Sequence, residues 1–211
     1  MARNNHPEKT IQQILSISYR LFLEKGYEQT TIQDIINELG MSKGAIYHHF
    51  KSKEEILQAI SDNGNYLNTS ELFKDLDHLN ALQKLKKIIC NEFENLEKQQ
   101  FNKGAISLAE NPKFVSALLN GTMKYGVPVF QSLIEEGKKD GSISVEDSKS
   151  ASEIILLLNN VWLCPMLGEV NEEDLERKIL YLKKLTELMG IPFMDEEVVQ
   201  AINSYLKSIF K

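Results

Sequence analysis

An all-α fold is what this sequence predicts, on three observations. Apolar residues recur at the three- and four-residue spacing of a helix through most of the chain. No run alternates with the period of two that a half-buried strand would show. Cap-type residues and prolines precede the apolar stretches, and glycines close several of them. There is no internal repeat and no low-complexity linker. With 211 residues, 42% of them apolar and 26% charged, the composition is that of an ordinary soluble globular protein of one domain or two small ones.

The elements follow in order. Pro7 suits the first turn of a helix, where its missing N–H costs nothing. Ile11, Ile14, Leu15, Leu21 and Phe22 then keep helical spacing, and Gly26 supplies the stop. In "TTIQDIINELG", Thr31 and Asp34 have capping-box spacing, Ile32, Ile35, Ile36 and Leu39 form the apolar face, and Gly40 ends the helix. Ser42 caps a third helix running to about Phe50, and Ser52 starts a fourth. A tight "LGMS" turn between two short helices is a helix-turn-helix signature. Neither short helix is stable alone, so the first must pack across both.

Beyond residue 56 the chain reads as helix throughout. Leu82, Leu85, Ile89, Phe93 and Leu96 share one face. A helix starting at Asn111–Pro112 stops at Gly137 and Gly141, and Gly121, Gly126 and Pro128 are expected to kink or break it midway. The apolar stretch "IILLLNNVWLCPML" is too short to span a bilayer and is expected to be buried on most sides. Leu175, Ile179, Leu182, Leu185 and Met189 mark the next helix, and "DEEVVQAINSYLKSIF" the last. Cys90 and Cys164 have no metal-ligand spacing and are read as reduced. The polar N-terminus does not read as a signal peptide, so a cytoplasmic location is expected, with no membrane contact.

Charge singles out one segment. The net charge is -6, yet residues 1–57 hold seven Lys/Arg and seven Asp/Glu. No acid falls between Glu38 and Glu54, where Lys43, His48, His49, Lys51 and Lys53 stand among Tyr47 and Phe50. An acidic body with one basic, aromatic stretch fits a polyanion contact confined to one element.

With the helix-turn-helix placed, "LFLEKGYEQTTIQDIINELGMSKGAIYHHFKSKEEIL" closely resembles the DNA-binding domain of the tetracycline-repressor (TetR) family. Leu21–Phe22, Gly26–Tyr27, Thr30–Thr31, Ile35, Gly40, Ser42, Gly44, Tyr47, His49–Phe50, Ser52 and Lys53 carry the resemblance. Ile36 departs from it, since the family more often has alanine there. The resemblance implies a DNA-binding domain over residues 1–53 and a helical regulatory and dimerisation domain over 54–211.

A surface facing an array of phosphates must be free of carboxylates, and each lysine that neutralises a phosphate adds salt-dependent affinity. The third helix should therefore be the reader. Ser42, Lys43, Gly44 and Ala45 would approach base edges, with Lys43 donating to guanine and the small residues permitting close approach. Tyr47 and His48 would bond phosphates, as would Thr31 at the start of helix two. Lys53 resembles the family's phosphate-contacting lysine. Arg3 and Lys9 are candidates for an arm. Phe50 is expected in the core, and adjacent His48 and His49 do not share a helical face, so no metal site is expected.

A domain of about fifty residues does not need 150 more for reading alone. The body is expected to bind a small, mostly apolar effector and to dimerise. Candidate pocket residues are Phe101, Met123, Tyr125, Phe130, Trp162 and Met166, any of which could equally fill the core. The segment from about Val145 to Gly190 is expected to build a homodimer that binds inverted-repeat double-stranded DNA, with helix four as the lever between body and reader. Two rivals stand beside this repressor reading. One is a DNA-binding regulator that answers to a protein partner or activates. The other is an all-α enzyme, which the lack of a phosphate loop, metal quartet or nucleophile–base pair argues against; no cofactor is expected.

Overall fold

A computed structural model describes residues 7–65, 72–95, 108, 111–163 and 171–209. Among them every regular element is helical. Four helices make the N-terminal part: α1 (Pro7–Lys25), α2 (Ile32–Leu39), α3 (Lys43–His49) and α4 (Lys53–Asn65). The body holds α5 (Ala81–Glu94), α6 (Pro112–Gly121), α7 (Val127–Asp140), α8 (Ser148–Leu157), α9 (Glu172–Leu188) and α10 (Glu196–Ile209). Two π-helical turns, Thr122–Gly126 and Leu158–Trp162, join α6 to α7 and extend α8.

Local chemistry sets these boundaries. Thr31 and Asp34 form the reciprocal capping box at α2, and Asn80 with Gln83 does the same at α5. Asn111 caps α6 ahead of Pro112. Gly40 closes α2 at φ 62°, a left-handed conformation that side chains with a Cβ rarely adopt.

Two apolar cores result. The larger one gathers α5, α7, α8, α9 and α10 around Leu85, Ile134, Ile155, Ile179, Ile191 and Val198, all essentially sealed from solvent. The Asp140 carboxylate accepts from the Ala81 N–H at 2.8 Å, fastening the end of α7 to the start of α5. The smaller core lies under the first three helices, built on Ile14, Phe22, Ile35 and Ile46. It does not end at residue 53. Ile56, Leu57 and Ile60 of α4 belong to it, and so do Leu108 and Phe114 from the body.

Three expectations need correction. Gly137 does not end a helix: it is buried inside α7, and a Cβ there would stand 2.5 Å from Ile143 Cδ1. Close packing fixes it, and Gly141 at φ 80° makes the stop. The break expected as one outcome at Gly121–Pro128 does not occur: a π turn, a feature that also kinks helices, keeps the chain helical with wider hydrogen-bonded rings. The apolar stretch from Ile154 is not buried on most sides in one chain. Ile155 and Leu163 are buried, but Leu156 to Trp162 are half-buried and Ile154 is exposed. Residues 164–170, with Cys164 and Met166, lie outside the described residues, as do Arg3, Leu96 and Phe101.

Candidate nucleic-acid interface

The α2–turn–α3 unit presents one polar face outward. Ile46 is fully buried and Phe50 nearly so, which plants α3 on the small core. The same helix therefore exposes Ser42, Lys43, Gly44, Tyr47 and His48, with Ala45 half-buried beside them. Ser42 Oγ accepts from the Ala45 N–H at 3.3 Å and caps α3, so its role as cap is filled within the chain. Lys43 Nζ stands 5.7 Å from the centre of the Tyr47 ring, a cation–π distance that keeps both side chains on one side of the helix. A Cβ added at Gly44 would meet nothing within 4 Å. The His48 and His49 rings meet edge to face at 5.2 Å; among the described residues no three acidic, His or Cys groups are placed to hold a metal.

The acids on α2 are turned toward α1 and matched there. Arg20 pairs with Glu38, and Lys25 Nζ lies 3.0 Å from Asp34 Oδ1. Asp34 also accepts from the Thr31 hydroxyl at 2.6 Å and the Thr31 N–H at 2.8 Å. Those two bonds, with Lys25 behind them, hold its carboxyl well below the usual carboxylate range. The segment's neutral total is thus a sorted one: paired charges at the α1–α2 seam, unpaired bases on α3.

Lys53 has a role that spacing could not show. Its ammonium donates to the carbonyls of Tyr27 at 2.6 Å, Thr30 at 2.8 Å and Glu28 at 3.3 Å. It also stands 4.3 Å from the Tyr27 ring centre. The lysine thereby ties the start of α4 to the loop that launches α2. Thr30 braces the same loop, its hydroxyl bonding the carbonyls of Gly26 at 2.8 Å and Leu21 at 3.1 Å. Thr31 stands exposed at the loop's end with its hydroxyl proton given to Asp34. Lys9 is exposed on the first turn of α1.

Four of the six candidate pocket residues fall among the described residues. Met123 is 38% exposed, because Thr122 and Gly126 of the same π turn take the buried side. Phe130 is a core residue, 6.1 Å from the Phe193 ring. Tyr125 is half-buried with Lys124 Nζ 4.8 Å from its ring centre. Trp162, on the second π turn, meets Tyr181 edge to face at 6.2 Å. Phe101 and Met166 lie outside the described residues.

A helix-turn-helix protein is therefore the class that this geometry defines. Comparison with known proteins narrows it. Residues 14–60 match the family profile described as bacterial regulatory proteins, tetR family. The HTH-type transcriptional regulator YerO of Bacillus subtilis is 41% identical over 87 residues, a stretch covering 40% of this chain but only 30% of YerO. The HTH-type transcriptional repressor KstR2 of Mycolicibacterium smegmatis is 25% identical over 144 residues, covering 65% of this chain and 69% of that one. A solved structure from Syntrophomonas wolfei, described as a TetR-family regulator, superposes with a TM-score of 0.61 at 20% identity, over 97% of this chain and 96% of its own. That likeness extends the shared fold into the body. The likeness in sequence to the TetR family thus covers residues 14–60 of the N-terminal domain, and the likeness of the body to a solved TetR-family structure is one of fold.

Proposed function

We propose that this chain is a transcriptional repressor that binds inverted-repeat operator DNA as a homodimer in the cytoplasm and lets go when its body binds a small, mostly apolar effector. One observation carries the reading: an exposed, acid-free α3 face, Ser42 to His48, stands on a braced turn with its flanking carboxylates paired away from it. Such a face accepts phosphates without repulsion and brings Lys43 to base edges. KstR2, named a repressor, supports the sign of regulation, and the regulators among the relatives favour this reading over an enzyme.

The second copy is supported by the body's open face. Ile154 on α8, and Leu180, Tyr181 and Leu188 on α9, are large apolar side chains left in solvent by a single chain, Leu188 at 78% exposure. Antiparallel pairing of α8 and α9 with their twofold mates would cover them and set two copies of α3 about 34–36 Å apart, one turn of duplex.

The test is fluorescence anisotropy with the intergenic DNA beside the protein's own gene and with scrambled DNA, across a salt series, for wild type and Leu188→Glu. The proposal expects sequence-specific binding, a steep salt slope, and weaker, monomer-like behaviour for the variant in sedimentation. Equal weak binding to both duplexes by protein freed of any co-purified small molecule, repeated with a duplex pool of random sequence, refutes it.

A further inference from the structure

The first turn of α6 enters the small core through Phe114, and one cation there touches three elements at once. Lys113 Nζ lies 3.1 Å from Glu54 Oε1 on α4 and 3.9 Å from Glu28 Oε1 in the α1–α2 loop. It is also 5.6 Å from the centre of the Tyr27 ring, the ring that Lys53 approaches at 4.3 Å. Glu54 directly follows Lys53, and Glu28 supplies one of the carbonyls that Lys53 holds. The loop so gripped ends at Thr31, the cap of α2.

Next in sequence, Phe114 is 2% exposed inside the small core, so α6 is anchored in the N-terminal domain by its first turn. Further along, Gln58 Nε2 donates to the Ala117 carbonyl at 3.1 Å, keeping α4 alongside. At the far end, the Asn160 amide donates to the Thr122 hydroxyl at 2.7 Å and fastens this helix to the second π turn of the body. Lys113 and Thr122 are nine residues apart on one continuous helical stretch, about 13 Å along its axis. Without Lys113, the carboxylates of Glu28 and Glu54 would stand uncompensated beside the loop that starts α2.

We infer that Lys113 is a positioning residue for DNA reading: by bridging Glu54 and Glu28 it sets the α1–α2 loop and the start of α4 against the first turn of α6. The inference rests on the proposed DNA contact. It moves the junction between body and reader from α4 alone to the pair α4–α6. It also assigns a role to a residue far outside the matched family segment. The bridge is half exposed, so its effect is modest and falls with salt.

The test uses the full chain and two readouts. The first is affinity for the tightest duplex that wild type selects from a random-sequence pool. Lys113→Met is expected to weaken it about two- to fivefold at low salt, with Lys113→Arg restoring it. In a Glu28→Gln/Glu54→Gln background the same substitution is expected to change affinity less than about twofold, since the partners are gone. The salt slope should be the same for wild type and Lys113→Met. A slope lowered by about one phosphate contact in both backgrounds would mean that Lys113 touches DNA itself, and would overturn the inference. The second readout needs no DNA: amide exchange at Thr30 and Thr31, whose N–H groups bond Gly26 O and the Asp34 carboxylate. Lys113→Met is expected to speed it, and unchanged exchange overturns the inference. If wild type selects no duplex while exchange responds, the DNA reading fails and the positioning of the loop stands.

Discussion

Gly44→Ala separates stability from reading at one residue. Gly44 is the second residue of α3, it is exposed, and a Cβ built on it meets nothing within 4 Å. Nothing inside the chain calls for a glycine there. Inside a helix glycine costs about 0.8–1.0 kcal/mol relative to alanine, and less in a first turn. Alanine also reduces the freedom of the unfolded chain, by about 0.4–1 kcal/mol at a compatible site. The variant should therefore be more stable by about 0.5–1 kcal/mol, or about 1–4 °C in Tm for a chain of this size. If α3 lies in the major groove with Gly44 at the closest approach, the added methyl forces the helix away from the base edges. Losing one good base contact costs about 1–3 kcal/mol, so operator affinity should fall at least about fivefold. Thermal unfolding and anisotropy on the same preparation give both numbers. A variant that is more stable and binds DNA as tightly as wild type would show that α3 does not meet the duplex through this residue. A variant that is less stable would show that the space around Gly44 is not open.

Three further outcomes are expected. Lys53→Met removes three ammonium–carbonyl bonds and should cost about 1–2 kcal/mol in urea unfolding; Lys53→Arg should not restore it, because a planar fork cannot replace a tripod of donors aimed at three carbonyls. Phe114→Ala, in the body, should destabilise by about 3–5 kcal/mol and lower the exchange protection of α1 and α2 before that of α9. Acid should loosen the start of α2. The Asp34 carboxyl is held below its ordinary value of 3.8, so its stabilisation is complete above that pH and is lost as pH falls through the lower folded value. Circular dichroism from pH 5 downward, against Asp34→Asn, should show less acid-linked loss in the variant, and identical titrations would refute the assignment.

Much of the N-terminal domain was legible because its signals are local. Thr31 and Asp34 are three residues apart, Gly40 marks the turn by itself, and Ile35 and Phe50 are buried as expected. The exposed face of α3 follows from helical periodicity. What stayed hidden depends on contacts distant in sequence. Lys53 and Tyr27 are 26 positions apart, and a lysine that will clamp carbonyls looks no different from one awaiting a phosphate. Phe114 reads as the apolar face of a body helix, and only the packed chain shows which core takes it. The π turns left a trace in Gly121, Gly126 and Pro128, but these residues fit a kink equally well. A π turn also shifts which residues face inward, so the exposure of Met123 could not be read from helical spacing.

The shared core has a consequence for anyone cutting this protein apart. The matched family segment ends at residue 60, and a fragment or head-swap chimera designed on that boundary would look complete on paper. It would leave Phe114 and Leu108 behind, two large apolar side chains that fill the same core as Phe22 and Ile56. A transplanted head would arrive with a hole where Phe114 belongs. Inside its new host it would fit only as well as that host's own helix happened to plug the gap. Chimeras of this chain should carry Leu108 and the Asn111–Phe114 turn along with the head.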